Sequence, residues 1–284
     1  MQEAIKKADV LIEALPYIKA FHGKTIVIKY GGSILDEDKI RQGVIEDIVF
    51  LNFIGIKTIL VHGGGPQISQ RMKAASIKTE FIEGMRYTDE TTLKIVSEEL
   101  AKLNKKLVSE IYSHGVKVKG LLGEKDDIIF AEKRKAKKDL GLVGEISEIN
   151  VEKLHKILEK ENILVISPMG KDKKGTIYNI NADDAASQLA GMLKAEKFVL
   201  LTNVLGIMRD VQDNASLIST LNISEAKKLV KDKVVSEGMI PKVNSCVRAI
   251  ELGVKKTHVI DARIPHALLL EIFTNTGIGT EIIK

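Results

Sequence analysis

The chain holds a single cysteine, Cys246, in 284 residues, so no disulfide can form within it and the fold must rest on its core. A chain of this length buries enough surface for that, and an unpaired thiol suits a reducing, cytoplasmic compartment. Tryptophan is absent and proline is limited to five, within an otherwise ordinary globular composition of 44% hydrophobic and 29% charged residues. No uninterrupted apolar run approaches the roughly 18–20 residues of a membrane span. Glu3, Asp9 and Glu13 also interrupt the N-terminal stretch, so neither a transmembrane helix nor a signal peptide is expected.

Common phosphate-binding templates are missing too: there is no GxxxxGK[ST] run, and no GxGxxG follows the first β-branched segment. No second His or Cys stands at metal-ligand spacing from His62, so no protein-held metal is expected. Basic residues exceed acidic ones by 43 to 38, a net charge of +5, but the two signs interleave and do not call for nucleic acid. The densest basic cluster, residues 133–138, contains no aromatic residue for base stacking and reads as a solvated loop.

What is present is a rhythm of short β-branched runs, each followed by a glycine or Pro-Gly element and then a helical pattern. Thr25–Tyr30 precedes Gly31-Gly32-Ser33, residues 58–61 precede His62-Gly63-Gly64-Gly65-Pro66, and residues 163–166 precede Ser167-Pro168-Met169-Gly170. Residues 198–201 and 257–260 read as two further strands. Helical patterns near 37–54, 66–75, 89–113, 151–160, 182–193, 224–232 and 240–252 supply the crossovers of a mostly parallel sheet. The segment 125–148 breaks the rhythm and reads as an antiparallel hairpin. Ahead of the first strand, Ala4, Ala8, Leu11, Ile12 and Leu15 fall at helical spacing, and Pro16 should bend or end that helix. No low-complexity linker divides the chain. The expected organisation is an N-terminal helix (1–22) able to pack within the chain or cross to another subunit, then lobes 23–175 and 176–284 sharing one sheet.

Ligands of such a sheet collect beyond the carboxyl ends of the strands, where helix N-termini offer free N–H groups. Lys29 stands there, directly before a glycine turn able to wrap phosphate oxygens. Gly63, Gly64 and Gly65 lack a Cβ and let the backbone approach a ligand, while His62 reads as a hydrogen-bonded structural residue. Arg86 has a planar fork suited to a carboxylate. Asn179, Asn181 and Asp183 alternate into a helix start, where capping explains one of them but not three. Lys242 follows Gly238-Met239-Ile240-Pro241 at another helix start, where a cation opposes the dipole and points to a nearby anion.

Taken in order, Val27-Ile28-Lys29-Tyr30-Gly31-Gly32, the 62–66 element, Arg86-Tyr87-Thr88-Asp89, Asn179-Ile180-Asn181-Ala182-Asp183 and Gly238-Met239-Ile240-Pro241-Lys242 resemble the amino acid kinase family nearly end to end. The resemblance implies an α/β fold, an open three-layer αβα sandwich, with an acyl amino acid on the N-terminal lobe and ATP on the C-terminal one. The implied reaction moves the γ-phosphoryl group of ATP to the side-chain carboxylate of N-acetyl-L-glutamate, the second step of arginine biosynthesis. Under this comparison Lys29 and Lys242 neutralise the transferring phosphoryl group and Asp183 holds both lysines. Gly31, Gly32, Thr202 and Asn203 join the lysines at ATP, and Gly63, Gly64, Arg86, Asn179 and Asn181 hold the acyl amino acid. Mg2+ arrives with ATP on phosphates and water. A carboxylate nucleophile, with a pKa of about 4.3, is already ionised and needs no general base. Asn203 stands where the family usually has Asp, and Asp261-Ala262-Arg263 replaces a more glycine-containing turn.

Some family members are hexamers inhibited by arginine, with an extra N-terminal helix and a C-terminal His-x-x-x-x-Glu followed by glycines. This chain has the helix through Tyr17, then His266 and Glu271, then Gly277-Ile278-Gly279-Thr280. The resemblance therefore implies a homohexamer with L-arginine bound by Tyr17, His266, Glu271 and Gly277, Glu271 pairing the cation. It leaves room for a nitrogen-regulatory signal protein, and none for nucleic acid or membrane. An ordinary amphipathic terminal helix is the plain alternative for this tail. Two other functions compete: a kinase of the same fold for another carboxylate, carbamate or nucleotide, and an arginine sensor without turnover. Arg86 with Asn179 and Asn181 argues against the first, and intact Lys29, Asp183 and Lys242 against the second.

Overall fold

The computed structural model describes residues 1–274 and 277–284, with side chains for all of these except Glu3, Ala4, Lys6, Lys7 and Val10. The Glu3 charge and the Ala4 position of the expected N-terminal helical face thus lie outside the described residues.

The helices are α1 (Gln2–Phe21), α2 (Asp38–Phe53), α3 (Gly65–Ala74), α4 (Glu90–Tyr112), α5 (Val151–Leu158), α6 (Ala182–Met192), α7 (Ile223–Lys231), α8 (Ile240–Glu251) and α9 (Ala267–Phe273). The strands are β1 (Thr25–Tyr30), β2 (Lys57–His62), β3 (Phe81–Ile82), β4 (Met85–Arg86), β5 (Val118–Leu122), β6 (Ile129–Lys133) and β7 (Gly144–Ile149), followed by β8 (Ile163–Ser167), β9 (Met169–Lys171), β10 (Ile177–Asn179), β11 (Lys197–Thr202), β12 (Thr220–Asn222), β13 (Lys256–Asp261) and β14 (Thr280–Ile283).

Alternation along β1 divides the core. Ile26, Ile28 and Tyr30 pack on one face of the sheet with α2, α4 and α9, while Val27 shares the other with α5, α6 and α8. Lys29, in register with Val27, is thereby aimed at the α6 layer. Ile59, Leu164, Phe198 and Val259 repeat the pattern on neighbouring strands. Such strands, apolar on both faces, are what a parallel sheet covered by helices requires.

The large sheet has the order β12-β14-β13-β11-β1-β2-β8-β5. Every neighbouring pair is parallel except β13 with β14. The open three-layer αβα arrangement expected from the sequence is therefore the observed one. The excursion at 125–148 is an antiparallel pair, β6 with β7, bulged between Phe130 and Ala131, and it joins β9 and β10 in a second sheet. The basic run 133–138 starts at Lys133, the last residue of β6, and continues into the loop that leaves it, with Lys135, Lys137 and Lys138 exposed.

Pro16 does not end the first helix: α1 continues to Phe21 with the proline inside it. The carbonyl deprived of its donor belongs to Ile12, whose residue is exposed, so water can satisfy it and the helix persists. On the opposite side of the molecule, Cys246 of α8 is fully buried against the sheet, and burial pushes its thiol up to about 12.

Candidate active site

β1 and β2 end in register, Tyr30 beside His62, so their glycine turns leave the sheet together. The Gly63 N–H donates to the Tyr30 carbonyl at 2.9 Å. A Cβ on Gly31 would lie 3.1 Å from Cα and N of Gly63, backbone atoms that cannot step aside. Gly32 has φ 83° and ψ −166°, a region closed to other residues. Gly64 precedes α3, whose first turn carries Pro66 where no partner for its missing N–H is needed. The N–H groups at this helix start make the turn a ready anion cradle.

Lys29, Asp183 and Lys242 meet at the same edge. Lys29 Nζ is 2.8 Å from Asp183 Oδ1, and Lys242 Nζ donates to Oδ2 at 3.4 Å. Burial pushes the Asp183 carboxyl up, but Lys29 and then Lys242 outweigh it and hold the group below the usual carboxylate range. One anion thus positions two cations from separate elements, leaving a net positive charge for phosphate oxygens.

Arg86, at the end of β4, is 7% exposed and has no carboxylate partner among the described residues. Its guanidinium donates to Ser69 Oγ at 2.8 Å, the Gly65 carbonyl at 3.1 Å and Met72 Sδ at 3.3 Å, and lies 4.9 Å from the Phe81 ring centroid. Burial pulls its pKa down, yet an arginine stays charged. A buried cation held only by neutral groups is a socket for an anion.

Asn179 donates to Thr88 Oγ1 at 3.1 Å, and Thr88 in turn donates to the Arg86 carbonyl at 2.8 Å. Asn181 caps α6, its Oδ1 accepting from the N–H groups of Asp183 and Asp184 at 2.8 and 3.1 Å. Lys29, Gly32, Gly63, Gly64, Arg86, Asn179, Asn181 and Asp183 line one cavity of about 290 Å³, whose apolar wall includes Ile68, Phe81, Met85, Leu100 and Val143. Gly31 and Lys242 touch its edge through Lys29 and Asp183. Thr202 does not line this cavity; its hydroxyl can donate to the carbonyl of Val204 at 2.9 Å or of Ile260 at 3.1 Å, and Asn203 beside it is exposed.

His62 is structural, as its sequence context suggests. Its Nδ1 donates to the Gly63 carbonyl at 3.2 Å and its Nε2 accepts from Asn104 at 3.2 Å, and burial pulls the imidazole down to about 4. The unfolded chain therefore binds the extra proton between about pH 4 and 6.5. Stability from neutral His62 is complete above that window and falls by about 3 kcal/mol as pH drops through it. A His62→Gln variant should show a flatter acid limb in urea unfolding; equal slopes for variant and parent would refute a neutral buried imidazole.

The sequence model describing the amino acid kinase family matches residues 24–261, most of the chain and every residue of this cavity. The chain belongs to the amino acid kinase family. An acetylglutamate kinase of Heliobacterium modesticaldum is 46% identical over 295 residues, covering 100% of both chains. Among solved structures, N-acetylglutamate synthase from Neisseria gonorrhoeae complexed with coenzyme A and N-acetyl-glutamate superposes with a TM-score of 0.87 at 28% identity. That match covers 98% of this chain and 63% of the synthase chain, so this chain spans less than two thirds of it. The same synthase complexed with coenzyme A and L-arginine gives 0.83 at 27% identity, covering 98% and 65%.

The family's second set of expected residues divides. Tyr17, Glu271 and Gly277 line a cavity of about 380 Å³ together with Phe21, Lys197, His258 and Glu281. His266 is not brought to it; its Nδ1 pairs with Asp47 Oδ1 at 2.7 Å, at the start of α9. Glu271 is already engaged, at 2.6 Å from His258 Nδ1 and accepting from the N–H groups of Ile278 and Gly279 at 2.7 and 3.2 Å. Lys197 Nζ donates to His258 Nε2 at 2.9 Å, which fixes the ring as neutral.

Ser69 at the first cavity, and Lys197 and His258 at the second, were not singled out by the sequence. Ser69 stands one helical turn after Gly65, a spacing that places both beneath Arg86. Lys197 and His258 are polar residues inside otherwise apolar strands, which is itself a signal.

Proposed function

We propose that the chain transfers the γ-phosphoryl group of ATP to the side-chain carboxylate of N-acetyl-L-glutamate, forming N-acetyl-L-glutamyl 5-phosphate in arginine biosynthesis. The full-length acetylglutamate kinase relative supports this reading. The observation at the site that carries it is the buried, carboxylate-free Arg86 on the same cavity as the Lys29–Asp183–Lys242 cluster. Arg86, Asn179 and Asn181 grip the acyl amino acid in the 23–175 lobe and its junction with the next, and the apolar wall accepts its methyl and methylene groups. Lys29 and Lys242 offset charge on the transferring phosphoryl group and the leaving ADP, with Asp183 as their anchor. The N–H groups of Gly32 and Gly64 bind phosphoryl and carboxylate oxygens, while Gly31 and Gly63 let the two turns approach closely. ATP comes to the 176–284 lobe as its Mg2+ complex; among the described residues no group of three His, Cys, Asp or Glu side chains is placed to hold an ion. The substrate carboxylate is ionised at neutral pH, so no side chain has to remove a proton.

ADP release tests the reading, with ATP and Mg2+ and with N-acetyl-L-glutamate set against glutamate, aspartate, carbamate and UMP. Turnover confined to N-acetyl-L-glutamate upholds it; turnover with another acceptor alone, or with none, overturns it.

We also propose feedback inhibition by L-arginine in a homohexamer. Leu11, Ile12 and Leu15 are exposed on α1, and α1 reaches the second cavity through Tyr17, whose ring lies edge-on to Phe273 at 6.3 Å. Deleting residues 1–20 is expected to lower the oligomer mass by light scattering and abolish the arginine response. An arginine-inhibited hexamer after truncation would refute the mechanism. No helix among the described residues is long and apolar enough to cross a membrane.

A further inference from the structure

Two carboxylates stand side by side at the start of α6 and divide four cations between them. Asp183 takes Lys29 and Lys242, while Asp184 takes Arg134 at 2.8 Å and Arg248 at 3.7 Å. The first set serves the proposed reaction; the second lies outside it.

Arg134 opens the loop that leaves β6. Its N–H donates to the Val143 carbonyl at 2.9 Å and so closes the base of residues 134–143. The far end of that loop builds the substrate side of the cavity. The Leu142 N–H donates to the Thr88 carbonyl at 2.6 Å, the Asn179 N–H donates to the Leu142 carbonyl at 2.9 Å, and Val143 lines the cavity itself. Lys133 and Asp139 pair within this arm and anchor it to nothing else. The ion pair from Arg134 to Asp184 ties the arm to α6, and Arg248 of α8 steadies the same carboxylate. Asp184 also reaches Asn181, whose Oδ1 accepts its backbone N–H at 3.1 Å. The pair is partly shielded, with side-chain exposures of 26% and 21%, and its anion sits at a helix N-terminus where the dipole favours it.

We infer that Asp184 is a positioning residue for the acyl amino acid: through Arg134 it holds loop 134–143 against Thr88 and Asn179, so that the substrate wall and the lysine cluster share one helix start. The inference rests on the functional reading above. The Asp184 carboxylate does not touch the reacting atoms and acts through Arg134, the loop and Asn179.

The test uses Asp184→Asn and Arg134→Gln, singly and together, in the full chain. Each single change is expected to raise the KM for N-acetyl-L-glutamate roughly fivefold to twentyfold, with a smaller change in the KM for ATP. The double variant should be no worse than the poorer single one, since the second change removes a partner already lost. Arg134→Lys should recover part of the loss. A lowered Tm with unchanged KM, or strictly additive effects, would overturn the inference and leave the pair a structural one. Hydrogen exchange reads the tie without turnover: Asp184→Asn should speed exchange across 134–143, and an unchanged rate there overturns it as well. An inactive parent enzyme would instead defeat the functional reading, and the exchange result would still decide the tie.

Discussion

Replacing Lys242 or Lys29 by alanine is expected to lower kcat by roughly two to three orders of magnitude while changing the KM for the acyl amino acid far less. The reason is where charge develops. In a loose phosphoryl-transfer transition state, negative charge spreads over the transferred oxygens and the leaving group, and a fixed ammonium meets it without reorganising. In the proposed reaction the ground-state acyl amino acid is held by Arg86 and the two asparagines and should gain little from either lysine. The variants also differ from each other. Lys29 is the closer partner of the buried Asp183, at 2.8 Å against 3.4 Å for Lys242, so its loss should cost more thermal stability by leaving that carboxylate poorly compensated. Steady-state kinetics with ATP saturating, beside thermal melts, separates the two effects. An unchanged kcat in either variant would remove that lysine from the transition state.

Arg86→Met is expected to raise the KM for the acyl amino acid about a hundredfold with a much smaller loss in kcat. The guanidinium is buried without a carboxylate partner, and its four contacts are a hydroxyl, a carbonyl, a thioether and an aromatic ring. An incoming carboxylate completes it. Methionine keeps much of the apolar stem and removes the uncompensated charge, so the ligand-free variant should melt higher than the parent while losing the rise in Tm that substrate produces. That reversal distinguishes a binding cation from one needed for folding: a fall in the ligand-free Tm with normal KM would assign Arg86 to structure. Lysine at this position should not rescue binding, because a point charge cannot reproduce the fork.

The sheet was readable because its strands are short, apolar on both faces and followed by glycine, three signals that coincide at residues 30–33 and 61–66. The β6–β7 hairpin was readable as a break in that rhythm. What escaped was encoded by contacts between distant segments. β9, β10 and β12 have three residues each, too short to carry a period. Pro16 misled because its cost depends on whether the orphaned carbonyl faces water, which spacing does not reveal. At the site, the motif order pointed to Lys29, Asp183 and Lys242, but the partners that make Arg86 a socket lie 17 and 21 residues away on another element. His266 shows the opposite limit: the family resemblance grouped it with Glu271, whereas its partner Asp47 is 219 residues distant.

Cys246 stands one helical turn beyond Lys242, inside the face that α8 presses on the sheet, and its thiol is pushed up to about 12 by burial. A disulfide reagent can reach that sulfur only while α8 is lifted away, because neither access nor a thiolate exists in the closed state. The pace at which the reagent's colour develops therefore counts the openings of the helix that carries Lys242. Since the chain has no other thiol to confuse the signal, the native enzyme carries its own stopwatch, one that nucleotide should slow by pinning Lys242.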